Sequence, residues 1–207
     1  MKVISPILQF IYSTTMKYCY DESHSIGHSM KVLQNAHDIC CKEENNYPII
    51  KTQREIIYTA AALHDMCDKK YIDVDSGIER ISELLESTNL IEKRETIIDI
   101  INTMSYSKVK QYGYPNLGNY QIAYHIVREA DLLEAYDFDR SMIFHMHKTN
   151  GNFEDSYKNA YSLFETRVWK HFDDNLFVTD YSKSIGKELH EKSKIQVKNW
   201  KQIINKL

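Results

Sequence analysis

Ala60-Ala61-Ala62-Leu63-His64-Asp65 is an uncharged run of mostly small residues that ends in two polar side chains. Taken with the residues before it, Lys51 to Asp65 reads as a helix with Ile57, Ala60, Ala61 and His64 on one face. Small residues there let neighbouring helices approach closely. Buried singly, His and Asp each leave polar atoms in need of partners. A His-Asp pair closing such a run therefore points inward and is satisfied there, and a divalent cation satisfies both at once.

The segments on either side repeat the helical period. Ser25 to Glu44 carries one stripe of His28, Val32, Asn35 and Ile39 and a second of Ile26, Met30, Leu33 and Cys40. Asp73 to Ser87 places Ile78, Ile81, Leu84 and Leu85 inward, and Thr88 to Met104 does the same with Leu90, Ile97, Ile98 and Ile101. Ser105 to Asn119 breaks the pattern with Gly113, Pro115, Gly118 and three tyrosines, and is predicted to be a surface loop bordering a site. Tyr120 to Tyr136 is helical again, with Ile122, Ile126, Ala130 and Leu133 on one face. Further helices are predicted at about Arg140–Lys148, Phe153–His171 and Thr179–Lys206. The expectation is an all-α chain folded as a single domain over 1–207, with a core at about 23–139 and a helical extension at about 140–207.

Composition agrees with this reading. The 207 residues hold 6 Gly and 3 Pro, too few to punctuate a sheet of many short strands. A formal net charge of -3 disfavours a sequence-independent nucleic-acid binder, which is usually basic. Cys19, Cys40, Cys41 and Cys67 lack paired C-x-x-C spacing. In a chain of this length they point to a reducing compartment, so a cytoplasmic protein is expected. No apolar run reaches the roughly 18 residues of a membrane span. The apolar stretch of Met1 to Ser13 is broken by Pro6 and Gln9, and a secretory leader is not expected.

Three predicted helices each bring a metal-competent group to an apolar face. His28 stands in Gly27-His28-Ser29-Met30-Lys31-Val32, the His64-Asp65 pair closes the alanine run, and Asp131 stands in Ala130-Asp131-Leu132-Leu133. Asp137 and Asp139 lie beyond the apolar pattern, which leaves Asp131 as the third-helix choice. Imidazole suits Mn, Fe, Co, Ni or Zn, and carboxylate suits Mg and Mn as well. Two His and two Asp together therefore favour one divalent ion of this group, Mn above all, over Ca.

The order His, His-Asp, Asp on successive helices resembles the HD-domain superfamily of metal-dependent phosphohydrolases. The likeness spans about Ser23 to Asp139 and is closest to small single-domain members. His24-Ser25-Ile26-Gly27-His28 and Asp68-Lys69-Lys70-Tyr71 look like the His-x-x-x-His and Asp-x-Lys-Tyr strings of those members. The resemblance implies an HD-type helical bundle with His28, His64, Asp65 and Asp131 as metal ligands. It further implies hydrolysis of a phosphate ester or anhydride through a metal-activated water. The substrate expected is a nucleotide or a similar small phosphorylated metabolite, with no membrane or nucleic-acid partner. Asp68, Lys70 and His24 are the candidate catalytic groups, and Lys69 and Arg128 the candidate phosphate-binding cations.

Some positions depart from the pattern. Lys31 stands where Arg is common, Leu132 where a basic residue is common, and Asn102-Thr103-Met104-Ser105-Tyr106 supplies no middle histidine. The last point argues for one metal, and against both a binuclear cyclic-dinucleotide phosphodiesterase and a di-iron oxygenase. A salt-bridge network is the competing reading of Asp68, Lys70 and Arg128. A metal- and nucleotide-binding sensor without turnover is the competing function. His145-Met146-His147 and Cys67 are read as structural.

Overall fold

The structure, a computed structural model, describes residues 3–206, and among them there is no strand. Eleven α-helices follow in order: α1 (Ile4–Lys17), α2 (Ile26–Glu43), α3 (Ile50–Leu63), α4 (Val74–Ser87), α5 (Arg94–Thr103), α6 (Tyr106–Tyr112), α7 (Gln121–Glu134), α8 (Phe138–Lys148), α9 (Phe153–Leu163), α10 (Lys170–Asp173) and α11 (Asp180–Ile204). No described helix is long and apolar enough to cross a membrane.

The alanine run dictates the centre. Ala60, Ala61, Ala62 and Leu63 are fully buried, and α3 packs against both α2 and α7, which also pack on each other. Val32, Ala36 and Ile39 of α2 face Ala123, Ile126, Val127 and Ala130 of α7 within one continuous core. Small side chains at these crossings bring the backbones close, and Asn35 Nδ2 donates to the Ala130 carbonyl at 3.0 Å beside Asp131. The three helices that carry the metal-competent groups are therefore mutual neighbours. α5 backs α3, while α11 runs across α2, α7 and α8.

Helix starts are set by short polar caps. Ser25 Oγ accepts from the His28 amide, Asp73 Oδ1 from Ser76, Ser105 Oγ from Lys108, Asp137 Oδ1 from Arg140 and Thr179 Oγ1 from Ser182. Two of these caps fix the site directly: Ser25 sets the turn that holds His28, and Asp137 sets the turn that holds Arg140. Beyond the metal pair, α4 crosses so closely that a Cβ on Gly77 would stand 2.8 Å from Cys67 Cα. Only glycine admits that approach.

The sequence expectations need three corrections. The predicted 105–119 loop contains α6, which Ser105 starts and Gly113, at φ +75°, ends. The stretch read as one helix over 153–171 is three pieces, with a π turn at Phe164–Val168 between α9 and α10. The sequence reading places no helix before Ser25, but of the N-terminal apolar stretch Ile4 to Ser13 lie in α1, whose Ile7 and Ile11 enter the core.

The C-terminal third is tied to the central helices by a buried carboxylate. Glu129 is fully buried on α7. It accepts from the Val178 amide at 2.6 Å, the Thr179 hydroxyl at 2.6 Å and the Thr179 amide at 3.2 Å, just where Thr179 caps α11.

Candidate metal centre

His64 and Asp65 lie at the C-terminal end of α3, where the helix turns out of its alanine run. His64 Nδ1 donates to the Ala61 carbonyl at 2.9 Å. A carbonyl only accepts, so Nδ1 carries a proton, and Nε2 is the nitrogen that the neutral ring leaves free to bind a cation. That Nε2 lies 3.2 Å from Asp65 Oδ2, 3.6 Å from Asp131 Oδ1 and 3.2 Å from His28 Nε2. His28 Nε2 in turn is 3.3 Å from Asp65 Oδ2 and 3.4 Å from Asp131 Oδ1. The structure thus brings together all four residues expected to hold a metal.

The fit to a cation is chemical as well as geometric. Donors about 2.0–2.2 Å from a common centre stand roughly 3.0–3.6 Å apart, which is the spacing between the two histidines and from each of them to Asp65 and Asp131; His28, His64 and Asp65 form the tightest group. Asp65 Oδ2 is buried with no hydrogen-bond partner, a state a carboxylate oxygen does not hold without compensation. Burial penalises every charge in the cluster, yet the neighbouring opposite charges prevail. Asp65 and Asp131 are held well below the usual carboxylate range by the histidines, and His64 well above the usual imidazole value by the carboxylates. Such a group of coupled charges is a common mark of a functional site. The histidines are almost closed off, but the Asp131 side chain keeps 28% of its surface exposed, so the cluster opens to solvent on that side.

A second group adjoins it through Asp65. His24 Nε2 lies 3.4 Å from Asp68 Oδ2 and 3.9 Å from Asp65 Oδ1, and these three residues are also close enough to share an ion. Ser23 Oγ and Tyr71 Oη contact His24 Nδ1 at 2.5 and 3.2 Å, which turns Nε2 toward the carboxylates. Burial lowers the His24 pKa, but Asp65 and Asp68 raise it by more. The hydrogen bond from His24 holds Asp68 below its ordinary value.

The expected cations are placed differently. Lys70 Nζ donates to Asp21 Oδ2 at 2.7 Å, and Asp21 also accepts from the Ser23 amide and hydroxyl at the turn carrying His24. Lys70 therefore braces that turn, close to the salt-bridge reading. Lys69 is exposed. Arg128, expected to project beside Asp131 toward phosphate, is 1% exposed. Its Nη2 donates to the Leu176 carbonyl at 2.5 Å and its guanidinium also faces Glu129 and the Tyr114 ring. Three residues along α7 does separate it from Asp131 by less than one turn, but Arg128 is directed into the interface with the 176–179 segment.

Arg140 is the residue that sequence reasoning missed. From the first turn of α8, its Nη1 donates to His28 Nδ1 at 2.9 Å and to the Ser23 carbonyl at 3.0 Å, and its Nη2 donates to the Glu134 carbonyl at 3.2 Å. It clamps the His24 turn, the His28 ring and the end of α7. Its only sequence signal is the Asp137 cap, 112 residues from His28. Arg140 only donates, so it fixes the His28 ring's orientation rather than raising its basicity, and partners that orient a ligating ring typically change metal affinity 10- to 100-fold. Arg140→Ala is expected to weaken Mn binding by about that factor in a calorimetric titration, with the fold retained. An unchanged Kd would remove Arg140 from the centre.

Another buried histidine has a different environment. Burial and then the charge of Arg128 push the His125 pKa down to about 4 from 6.5. As the pH falls below 6.5, the unfolded chain takes up a proton that the folded ring refuses. The ring therefore costs stability in acid, at most ~1.4 kcal/mol per pH unit, levelling off near the folded value. His125→Gln should remove this term, so wild type loses stability relative to the variant between pH 6.5 and 4 in urea titrations. Parallel pH profiles for the two proteins would contradict the assignment.

A groove of about 1010 Å³ lies along another face, lined by Lys31, Asn35, Asp38, Glu134, Asp139 and Gln196 among others. Its walls carry no converging metal-competent set, so the cluster is the better candidate for chemistry.

Comparison with known proteins reaches the same residues. No curated protein and no solved structure matches the chain. The family model for the HD domain matches residues 25–136, which include His28, His64, Asp65 and Asp131 and make up just over half of the chain. With its His and His-Asp ligand motifs in order, and the helices that bear them packed around one cluster, this chain belongs to the HD domain family.

Proposed function

We propose that this protein is a phosphohydrolase that uses one divalent metal ion, with Mn the favoured ion, to cleave an ester or anhydride of a small phosphorylated metabolite, a nucleotide above all. The carrying observation is that His28 and His64 stand 3.2 Å apart and each lies 3.2–3.6 Å from both Asp65 and Asp131, on a face that opens to solvent at Asp131. These four residues would hold the ion. When bound, a divalent cation polarises a phosphoryl oxygen and makes a water a competent nucleophile near neutral pH.

The chain's own groups supply the rest. His64 presents Nε2 because the Ala61 carbonyl holds its Nδ1 proton, while Arg140 donates to His28 Nδ1 and so fixes that ring with Nε2 facing the cluster. His24 and Asp68 form a proton-holding pair, with the proton between Nε2 and Oδ2. Asp65 and Asp68 raise the His24 pKa and so favour the protonated ring, whose proton can be given to the departing oxygen. Asp68 then keeps the charged ring in place. Lys70 is a positioning residue, acting through Asp21 on the turn that carries His24. Lys69, exposed just beyond Asp68, remains as a cation for an incoming phosphate. We read the whole chain as one domain, since Glu129 and Glu43 of the central helices hydrogen-bond the start of α11.

The competing reading is a sensor that binds metal and nucleotide without turnover. A phosphate-release screen over nucleoside mono-, di- and triphosphates with Mn, Co, Ni and Mg separates the two. Metal-dependent release supports the enzyme. Saturable nucleotide binding without release supports the sensor.

A further inference from the structure

Beside Asp131 stands a group of side chains with no task in the scheme above, two of which, Arg167 and His171, lie outside the residues matched by the family model. His171 of α10 is 1% exposed, and neither of its ring nitrogens has a hydrogen-bond partner. Its ring packs 5.1 Å from that of Tyr106 and 6.1 Å from that of Tyr136. Burial and then the charge of Arg167 push its pKa down to about 4, while the Asp131 carboxylate pulls the other way. A neutral imidazole offers one donor and one acceptor, and although the Leu132 backbone lies near enough to act on the ring, neither nitrogen completes a hydrogen bond. Buried polar atoms are normally paired, and unpaired ones ask for an explanation such as a ligand.

Arg167 stands over the same tyrosine. Its guanidinium lies 5.2 Å from the Tyr106 ring centroid, and it makes no ion pair among the described residues. It sits on the π turn Phe164–Val168. Such turns insert a residue into a helix and recur at functional sites. Lys110 Nζ donates to Tyr106 Oη at 3.3 Å, which adds a second cation at that hydroxyl. Tyr106 opens α6, and two residues on, Lys108 is near enough to Cys67 for its charge to act on that thiol. α6 thus stretches between the turn that follows Asp65 and the His171 ring.

A bidentate cation, a hydroxyl and an unpaired imidazole gathered around one tyrosine ring describe an anion site. We propose that Tyr106, Arg167 and His171 bind a second phosphate of the substrate, the one that is not attacked. Phosphoanhydrides are then preferred to monoesters. This rests on the phosphohydrolase reading for its orientation, but the binding itself does not require turnover.

The test uses the full chain and two probes, methylenediphosphonate and methylphosphonate, titrated calorimetrically into Mn-treated protein. Wild type is expected to bind the diphosphonate at least tenfold more tightly. Arg167→Gln, an exposed substitution that leaves the core alone, should remove that preference, and Tyr106→Phe should reduce it. In turnover, Arg167→Gln should lower kcat/KM for a nucleoside diphosphate at least tenfold more than for a monophosphate. Equal affinity for the two probes in wild type, or a preference that survives Arg167→Gln, would overturn the subsite. A wild type that takes up no Mn and releases no phosphate would instead defeat the parent reading. The titration would then judge the subsite alone.

Discussion

Replacing His64 and Asp65 together by Ala is expected to abolish metal uptake and to lower phosphate release by at least ~10³-fold. The magnitude follows from what the ion supplies, several kcal/mol of transition-state stabilisation at about 1.4 kcal/mol per tenfold. The double substitution removes one imidazole and one carboxylate, so the net charge of the cluster changes little. His28 and Asp131, 3.4 Å apart, are left as a compensated pair. Both replaced residues follow α3 rather than sit within it, and the alanine run before them keeps its packing. Circular dichroism should therefore report an unchanged helical content. Full activity in this variant would refute the site.

The second large effect concerns stability. Glu129→Ala is expected to cost about 3–5 kcal/mol, because it strands a buried charge and several donors at once. Burial raises the Glu129 pKa, and hydrogen bonds from Thr179 together with the Arg128 charge work against that rise. Without the carboxylate, Arg128 loses its buried acidic partner, and the Val178 amide and the Thr179 amide and hydroxyl lose their acceptor. For a chain of this size about 1 kcal/mol moves Tm by roughly 2–4 °C, so a fall of order 10 °C should be seen. A loss under about 1 kcal/mol would show that the contact between α7 and the start of α11 matters little. Glu129→Gln, which keeps an acceptor but not the charge, should fall between the two.

The four metal-competent residues were legible in the sequence because each sits in a local string whose helical period and small neighbours place it inward. The helices that carry them needed only the 3.6-residue repeat. What was not legible depends on distant parts of the chain meeting. Nothing near Arg140 announces His28, and nothing near Glu129 announces Thr179, 50 residues on. Arg128 shows the same limit in reverse. Its spacing from Asp131 suggested a shared face, but a helix turn is wide enough for one side chain to reach the cluster and the next to enter an interface. α6 was hidden because Gly113 and Pro115 dominate a short segment whose helix is only seven residues long. The π turn was hidden because one extra residue scarcely disturbs an apolar pattern read over 153–171. Of the cations read from the sequence, Lys70 and Arg128 brace the fold, while Arg167 and His171 come together with Tyr106 only through packing.

The central claim is that these four side chains hold one ion. Chelator-stripped protein titrated with Mn in a calorimeter tests it most directly. One ion per chain should bind, with binding lost in the His64→Ala, Asp65→Ala double variant and sharply weakened in Asp131→Ala. No heat of binding in the wild type, or a Kd unmoved by these substitutions, would contradict it.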